Sequence, residues 1–200
     1  MDTITELKIQ SKDKSRVNLS LNGKYFCSLD LETVVKHHLK VGTIISQGKL
    51  NEIQLESEKQ TAYAKVLKLI STRYKTQKEV ERYLFDKGYV SAVVYYVVNK
   101  LVEYRYIDDE RYVDSYIVSH KNRNGKLKLK QELLQKGVAE SIINEKLSGE
   151  FEQAEQIKVL AEKYMKNKDN TKENYVKLFR YLMGKGFEYE EIKNAIKETE

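Results

Sequence analysis

Hydrophobic and polar residues alternate along the first thirty positions, and a period of two is typical of half-buried strands. Residues 7–9 and 17–21 both alternate in this way. Asn22 and Gly23 follow, and both tolerate the positive φ angles of a type I′ hairpin turn. Residues 25–29 would then return as the partner strand. The pattern predicts a three-stranded antiparallel meander.

The spacing then becomes helical. Asp30 is suited to cap a helix whose apolar positions, from Leu31 to Leu39, recur at i, i+3 and i+4. Gly42 is expected just past its end, where left-handed glycines close helices. A second short helix is predicted over about residues 49–55. We therefore expect residues 1–56 to form a small N-terminal domain of a β-meander and helix.

From residue 57 onward the pattern is helical and repeats every 49 residues. A Lys-Gly pair recurs at 87–88, 136–137 and 185–186. The same offset aligns apolar positions on both sides of it: Val80, Leu129 and Leu178; Leu84, Leu133 and Leu182; Phe85, Leu134 and Met183; Val94, Ile143 and Ile192; Leu67, Tyr116 and Met165. This period is near the roughly 40–47 residues of known helical repeats. It predicts three tandem repeats over residues 57–107, 108–149 and 150–200, forming an elongated, curved, mainly α-helical array.

Each repeat divides into three helices, which in the first lie at about residues 58–72, 76–87 and 91–104. The run at residues 93–98 is β-branched and aromatic, and by itself it favours a strand. Its equivalents at residues 142–147 and 191–196 have ordinary helical composition. The repeat therefore predicts a helix here too.

Composition supports a helical protein and limits its class. The 200 residues include no proline, which suits long helices. Net charge is +6, and the segment from residue 57 to 107 carries 10 basic and 5 acidic residues. The uncharged stretch at residues 88–99 is short of the ~20 residues that span a membrane. With one cysteine and no secretory pattern at its start, the chain is expected to be cytoplasmic, without membrane contact.

Residues suited to catalysis are few. His37 and His38 are adjacent, so on a helix they point about 100° apart and cannot share a metal ion. Cys27 lies in a predicted strand without a partner at metal-ligand spacing. Asp108 and Asp109 could bind Mg²⁺, but capping of a helix N-terminus is the favoured interpretation. We predict no enzyme activity, cofactor or metal, with a metal-dependent hydrolase at the two aspartates as a minor alternative.

The central part of the chain carries the most distinctive motifs: Ile-Asp-Asp-Glu-Arg-Tyr-Val at residues 107–113, Gly125, and Glu-Leu-Leu-Gln-Lys-Gly-Val at residues 132–138. On these motifs, residues 57–200 resemble the RecX family of recombination regulators. Residues 71–76 are similar to the motif that opens the family's first repeat, and residues 22–35 are similar to the N-terminal extension of some members. The chain departs at His120, where arginine is frequent, and at Val113, where alanine is usual. The resemblance implies a signature whose role is mainly structural: Asp108, Asp109, Tyr112, Gly125, Leu133, Lys136 and Gly137.

The resemblance also implies a function. A protein of this family is expected to be a non-enzymatic, monomeric regulator that binds the RecA recombinase filament on DNA. It would lie in the groove of the filament and inhibit ATP hydrolysis and strand exchange. Any contact with single- or double-stranded DNA would be weak and electrostatic.

Two basic clusters are candidates for contacts with the filament or its DNA, because lysine and arginine neutralise phosphates without regard to sequence. An ordinary solvated face is the alternative. The first cluster is Arg73, Lys75, Lys78 and Arg82, and the second is Arg111, Lys121, Arg123, Lys126, Lys128 and Lys130. Tyr74, Tyr89, Tyr95 and Tyr175 are further interface candidates. A second function stays open: a free-standing DNA-binding module of helix-turn-helix type, suggested by the helix-glycine-helix pattern around Gly88 and Gly137.

Overall fold

The N-terminal domain is an antiparallel sheet covered by helices. A computed structural model describes residues 1–149 and 153–197 of the chain. Strands β1 (Asp2–Ile9), β2 (Arg16–Leu21) and β3 (Lys24–Asp30) form the predicted meander. Asn22 (φ 50°) and Gly23 (φ 82°) make the predicted hairpin turn. The strand number is corrected to four, because β4 (Ile44–Ile45) pairs with β1 and gives the order β3-β2-β1-β4. Two residues are too few to produce a recognisable alternation.

The helix after the sheet is shorter than predicted. Helix α1 (Leu31–Lys36) ends at a left-handed residue that is His38 (φ 51°), not Gly42. The His38 N–H donates to the Val35 carbonyl and the Leu39 N–H to the Val34 carbonyl, both at 3.0 Å. Histidine is among the side chains that adopt this conformation, so no glycine marks the end of the helix. Gly42 (φ 90°) instead turns the chain into β4.

A single helix replaces the two that were predicted next. Helix α2 (Gln47–Ile70) runs for 24 residues without a break at the predicted boundary between residues 56 and 57. The polar residue at this point, Ser57, is fully buried, and its hydroxyl accepts the Asp30 N–H at 2.7 Å. Leu50 and Ile53 join the core of the sheet. Ser57 is therefore a packed residue inside the helix and does not mark a helix boundary.

The remaining chain contains three groups of helices, as predicted. Their bounds are α3 (Gln77–Asp86), α4 (Ser91–Glu103), α5 (Asp109–His120), α6 (Lys126–Gln135), α7 (Glu140–Leu147), α8 (Gln153–Met165), α9 (Lys172–Gly184) and α10 (Tyr189–Lys197). The β-branched run at residues 93–98 lies inside α4. Its prediction as helix is confirmed.

The 49-residue offset holds for the second and third helices of each group. The aligned middle-helix positions, Val80, Leu84, Leu129, Leu133, Leu178 and Leu182, are all buried. Gly88, Gly137 and Gly186 have φ angles of 82°, 79° and 86°. The first helices follow a different spacing, because the buried Ile157 of α8 corresponds to Val113 of α5, only 44 residues earlier. The stretch from the start of the helix to its buried leucines is about one turn longer in α9 than in α6. This extra turn accounts for most of the difference between the two spacings.

The chain divides into two compact units. One comprises residues 1–74 and 80–106, and the other comprises residues 75–79 and the chain from residue 107 onward. The predicted limits of the four domains stay predictions, and the one at residue 150 lies outside the described residues. In the described part of the chain, no helix combines the length and apolar character needed to cross a membrane.

Candidate interaction surface

The two aspartates of the signature cap two different helices. Asp108 is the N-cap of α5, and its carboxylate accepts the Arg111 N–H at 2.9 Å. The Asp109 carboxylate accepts the Gln77 N–H at 2.9 Å, at the beginning of α3. A carboxylate at a helix N-terminus satisfies an N–H that has no intrahelical partner and opposes the positive end of the dipole. Asp108 caps the helix for which capping was predicted, whereas Asp109 caps α3 and not the helix that it begins.

The beginning of α3 rests on the glycine turn that follows α6. Thr76 is fully buried, and its hydroxyl donates to the Lys136 carbonyl at 2.7 Å. Thr76 and Glu79 also form a reciprocal capping box, with hydrogen bonds of 3.1 and 3.2 Å. A Cβ on Gly137 would lie 2.4 Å from the Lys78 Cβ, so only glycine fits this close approach. We call this packing of a helix N-terminus on a Lys-Gly turn the helix-on-turn contact.

Lys136 links the two sides of this contact. Its ammonium lies 3.6 Å from the Glu79 carboxylate and about 6 Å from the ring centroids of Tyr112 and Tyr116. Burial lowers the pKa of Lys136, but the interactions with Tyr112 and Glu79 outweigh it and the net shift is upward. The Tyr116 hydroxyl donates to Glu132 at 2.8 Å, and burial together with that carboxylate raises the pKa of Tyr116. Lys136 therefore stays charged and paired, which suits a structural residue.

A second helix-on-turn contact joins α6 to the turn after α9. The Gly125 N–H donates to the Lys185 carbonyl at 2.8 Å, and the Lys126 N–H donates to the Gln153 side chain at 2.9 Å. A Cβ on Gly125 would lie 2.3 Å from the Gly186 carbonyl oxygen. Gln153 begins α8 as Asp109 begins α5, so the two contacts share one plan. The signature residues thus position successive helices.

The first basic cluster divides between exposed and packed side chains. Arg73 and Arg82 are exposed, in the turn after α2 and on α3. Lys75 is half-buried with its ammonium 3.5 Å from Glu79, and Lys78 packs its stem against Gly137. Lys78 and Arg82 lie one turn apart on α3.

The second basic cluster divides in the same way. Arg111, Lys121 and Arg123 are exposed at the two ends of α5 and in the turn after it. Lys126, Lys128 and Lys130 are half-buried in the first turns of α6, above the buried Leu129 and Leu133. Lys130 binds Glu140 at 2.6 Å and lowers the pKa of that carboxyl. The three lysines of α6 are thus half-buried, whereas Arg111, Lys121 and Arg123 are exposed.

The other candidate chemical groups have structural partners. His37 lies 2.8 Å from Glu56, and His120 stacks on Tyr116 with ring centroids 4.0 Å apart. Cys27 is buried, which raises the pKa of its thiol to about 11. Across the residues that the structure describes, no three histidine, cysteine or acidic side chains are grouped to hold a metal ion.

Sequence reasoning missed a cluster of aromatic and basic side chains in the first unit. It comprises Lys59, Tyr63, Tyr96, Lys100, Tyr104 and Tyr106. A signal was present in the i, i+4 spacing of Lys59 with Tyr63 and of Tyr96, Lys100 and Tyr104. We name it the tyrosine-lysine cluster.

These features define a class of protein, namely tandem three-helix domains joined by helix-on-turn contacts and preceded by a β-rich domain. Models of the family match the RecX N-terminal domain at residues 2–46 and its first, second and third three-helix domains at residues 62–101, 108–147 and 151–196. The chain belongs to the RecX family of regulatory proteins.

Relatives and solved structures agree with this assignment. "Regulatory protein RecX" of Clostridium tetani is 35% identical over 98% of this chain and 94% of its own length. That of Bacillus licheniformis is 31% identical over the whole chain and 78% of its own length. A crystal structure of regulatory protein RecX superposes with a TM-score of 0.70 at 26% identity, covering 97% of this chain and all of its own. RecX from Lactobacillus salivarius gives 0.65 at 28% identity over 70% of this chain and 96% of its own.

Proposed function

We propose that this chain binds the RecA recombinase filament on DNA, in the groove of the filament, and inhibits ATP hydrolysis and strand exchange. It acts as a monomer in the cytoplasm, without a cofactor and without catalytic chemistry of its own. The observation that carries the proposal is the match to all four RecX domains in their order along the chain. Tandem repeats also suit an extended partner, because each domain adds a similar surface.

The exposed members of the basic clusters are the residues we assign to this contact. They are Arg73, Arg82, Arg111, Lys121 and Arg123. The half-buried Lys75, Lys126, Lys128 and Lys130 are left with secondary roles, because their stems or ammonium groups already serve the packing of α3 and α6. Lys78 is exposed but has its stem against Gly137.

The free-standing helix-turn-helix module is the weaker candidate. In such readers, the N-terminal residues of the helix after the turn contact base edges in the major groove. Here the corresponding first turns are acidic, with Glu140 in α7 and with Glu190 and Glu191 in α10. Carboxylates at these positions repel phosphates. The arrangement disfavours major-groove reading by the second and third domains.

The test is ATP turnover by the cognate recombinase on single-stranded DNA, measured while the chain is titrated in. We expect turnover to fall as the chain approaches stoichiometric amounts. Unchanged turnover at a clear excess over recombinase protomers contradicts the proposal.

A paired substitution tests the assigned residues. Lys121→Gln with Arg123→Gln removes two exposed charges from the turn after α5, and we expect weaker inhibition and a reduced dependence on salt. Lys12→Gln with Lys14→Gln removes the same charge from the exposed turn between β1 and β2 and serves as the control. Equal inhibition by both variants and the wild type shows that the Lys121–Arg123 turn is only solvated.

A further inference from the structure

The tyrosine-lysine cluster includes three tyrosine side chains that are exposed to solvent. Tyr96, Tyr104 and Tyr106 are 39%, 58% and 54% exposed. The Lys59 ammonium lies 4.8 Å from the ring centroid of Tyr96, and the Lys100 ammonium lies 4.8 Å from that of Tyr63. Two cations and several exposed rings therefore share one surface of the first unit.

The backbone at the end of α4 sets the positions of two of these rings. Helix α4 closes with the Arg105 N–H bonded to the Val102 carbonyl at 2.9 Å and the Tyr106 N–H bonded to the Leu101 carbonyl at 2.8 Å. This is the pattern of a Schellman motif. It places the rings of Tyr104 and Tyr106 with centroids 6.4 Å apart and an interplanar angle of 50°, so the rings are splayed.

The residue at the left-handed position of this motif is itself a cation. Arg105 has a φ of 53°, whereas the corresponding position after each middle helix is glycine. This region is unfavourable for a residue with a Cβ. Arg105 is also exposed, and it lies between Tyr104 and Tyr106 in the sequence. The motif therefore carries an exposed positive charge in a conformation that favours glycine.

The surrounding charge favours an anionic ligand. Residues 57–107 carry ten basic and five acidic residues. Within α4, the acidic residue is Glu103, which adjoins Tyr104 in the sequence. The Tyr96 hydroxyl holds the pKa of Lys100 above its usual value, so the ammonium stays charged across the physiological range. A ligand for this surface needs flat π faces together with closely spaced negative charges.

We propose that the tyrosine-lysine cluster is a stacking platform for single-stranded nucleic acid. Bases stack on Tyr104 and Tyr106, and on Tyr96 when Lys59 moves aside, while Lys59, Lys100 and Arg105 neutralise the phosphates. Stacking of a base on an aromatic side chain contributes more to binding than an exposed cation-π contact does. The exchange of a lysine for a base over a ring is therefore favourable.

This inference extends the proposed function, since the filament contains single-stranded DNA, but it is tested without recombinase. Binding of the full-length chain to a fluorescein-labelled oligothymidine is measured by anisotropy at several salt concentrations. The sequence contains no tryptophan, so its 15 tyrosines provide the intrinsic emission, and quenching of that emission by bound bases is a second readout.

The variants separate stacking from charge. Tyr104→Ala with Tyr106→Ala is expected to weaken binding about tenfold or more and to reduce the quenching, since tenfold corresponds to about 1.4 kcal/mol. Tyr104→Phe with Tyr106→Phe keeps the π faces and is expected to bind within about twofold of the wild type. Lys59→Gln with Lys100→Gln is expected to flatten the salt dependence. Tyr25→Ala is the control, because Tyr25 is 65% exposed on β3 of the same unit and lies outside the cluster.

Two outcomes would overturn the inference. One is binding by the double alanine variant that equals that of the Tyr25→Ala control. The other is a double alanine variant that binds oligothymidine like the wild type but no longer inhibits the recombinase. That result would identify the cluster as a protein-binding surface. Loss of oligothymidine binding in the alanine variant, with no effect of the wild type on ATP turnover, supports the cluster and contradicts the proposed function. The two proposals are thus separable.

Discussion

The glycine turns after the three middle helices have one conformation but two different surroundings. Gly88, Gly137 and Gly186 all have φ angles near 80°. A Cβ on Gly137 would overlap Lys78, and a Cβ on Gly186 would lie 2.4 Å from the Lys128 backbone nitrogen. Among the described residues other than Gly88 and its two chain neighbours, no heavy atom comes within 4 Å of the corresponding point at Gly88. Gly88 is therefore required for its conformation alone, whereas Gly137 and Gly186 are required for their conformation and for the close approach of a neighbour.

The surroundings of the first turn explain the difference. Lys87, Gly88 and Tyr89 border an open polar groove of about 460 Å³ in the first unit, whose other walls include Arg16 and Lys65. The Lys65 ammonium donates to the Tyr89 hydroxyl at 3.0 Å. In place of a helix N-terminus, solvent and long side chains lie against this turn. A repeated sequence motif therefore has a position-dependent role, which substitutions at the three glycines can resolve.

Gly186→Ala is expected to have the largest effect. The left-handed conformation costs roughly 1–2 kcal/mol and the overlap with the Lys128 backbone a similar amount, so we expect a loss of about 3 kcal/mol. Chemical denaturation followed by circular dichroism measures it. Gly184→Ala is the matched control, because Gly184 is the last residue of α9, has open space at its Cβ, and can be replaced by a residue that favours helix. A loss below about 1 kcal/mol would be inconsistent with the close approach.

Gly137→Ala is expected to cost slightly less, about 2–3 kcal/mol, because the Lys78 side chain is an easier neighbour to displace than backbone. Gly137→Val should cost more, since a β-branched residue resists positive φ. Lys78→Gly removes the opposing Cβ. In the double variant with Gly137→Ala, the loss should fall short of the sum of the two single losses by about 1 kcal/mol. Strict additivity would show that the two positions do not touch.

Gly88→Ala is expected to cost only about 1 kcal/mol, because the conformational penalty is partly offset by the lower entropy of the unfolded alanine chain. The same denaturation experiment measures it. A loss equal to that of Gly186→Ala would remove the distinction between the first turn and the other two.

The smallest expected effect is that of Gly186→Ala on the alkylation rate of the Cys27 thiol. With its pKa raised to about 11, this buried thiol is almost entirely protonated at pH 8, and alkylation by iodoacetamide should be very slow in the native protein. Gly186→Ala lies in the second unit, so the alkylation rate in the absence of denaturant should not change. Rapid alkylation of that variant would show that the N-terminal domain depends on the third repeat.

Much of the fold follows from the sequence because repetition multiplies weak signals. Leu84, Leu133 and Leu182 are each ambiguous, but the shared offset from a Lys-Gly pair places all three in buried positions. The offset does not apply to the first helices, mainly because α9 has an extra turn before its buried leucines that α6 lacks. Short pairings such as β4, and a left-handed His38, depend on tertiary contacts that no local pattern shows.

The structural roles of the signature could be predicted only in part. Capping by Asp108 is local and follows from the spacing, whereas capping of α3 by Asp109 joins residues 32 positions apart. The basic clusters illustrate the same limit, since charge alone does not distinguish the exposed Arg123 from Lys130, which is paired with Glu140.

Binding to the recombinase filament is the central property proposed for this chain. Recombinase filaments assembled on single-stranded DNA are sedimented with increasing amounts of the chain, and the bound fraction is compared with that on DNA alone at the same salt concentration. We expect the chain to sediment with the filament, to saturate at a fixed ratio to recombinase protomers, and to bind more tightly than to bare DNA. Sedimentation with bare DNA but not with the filament would contradict the account.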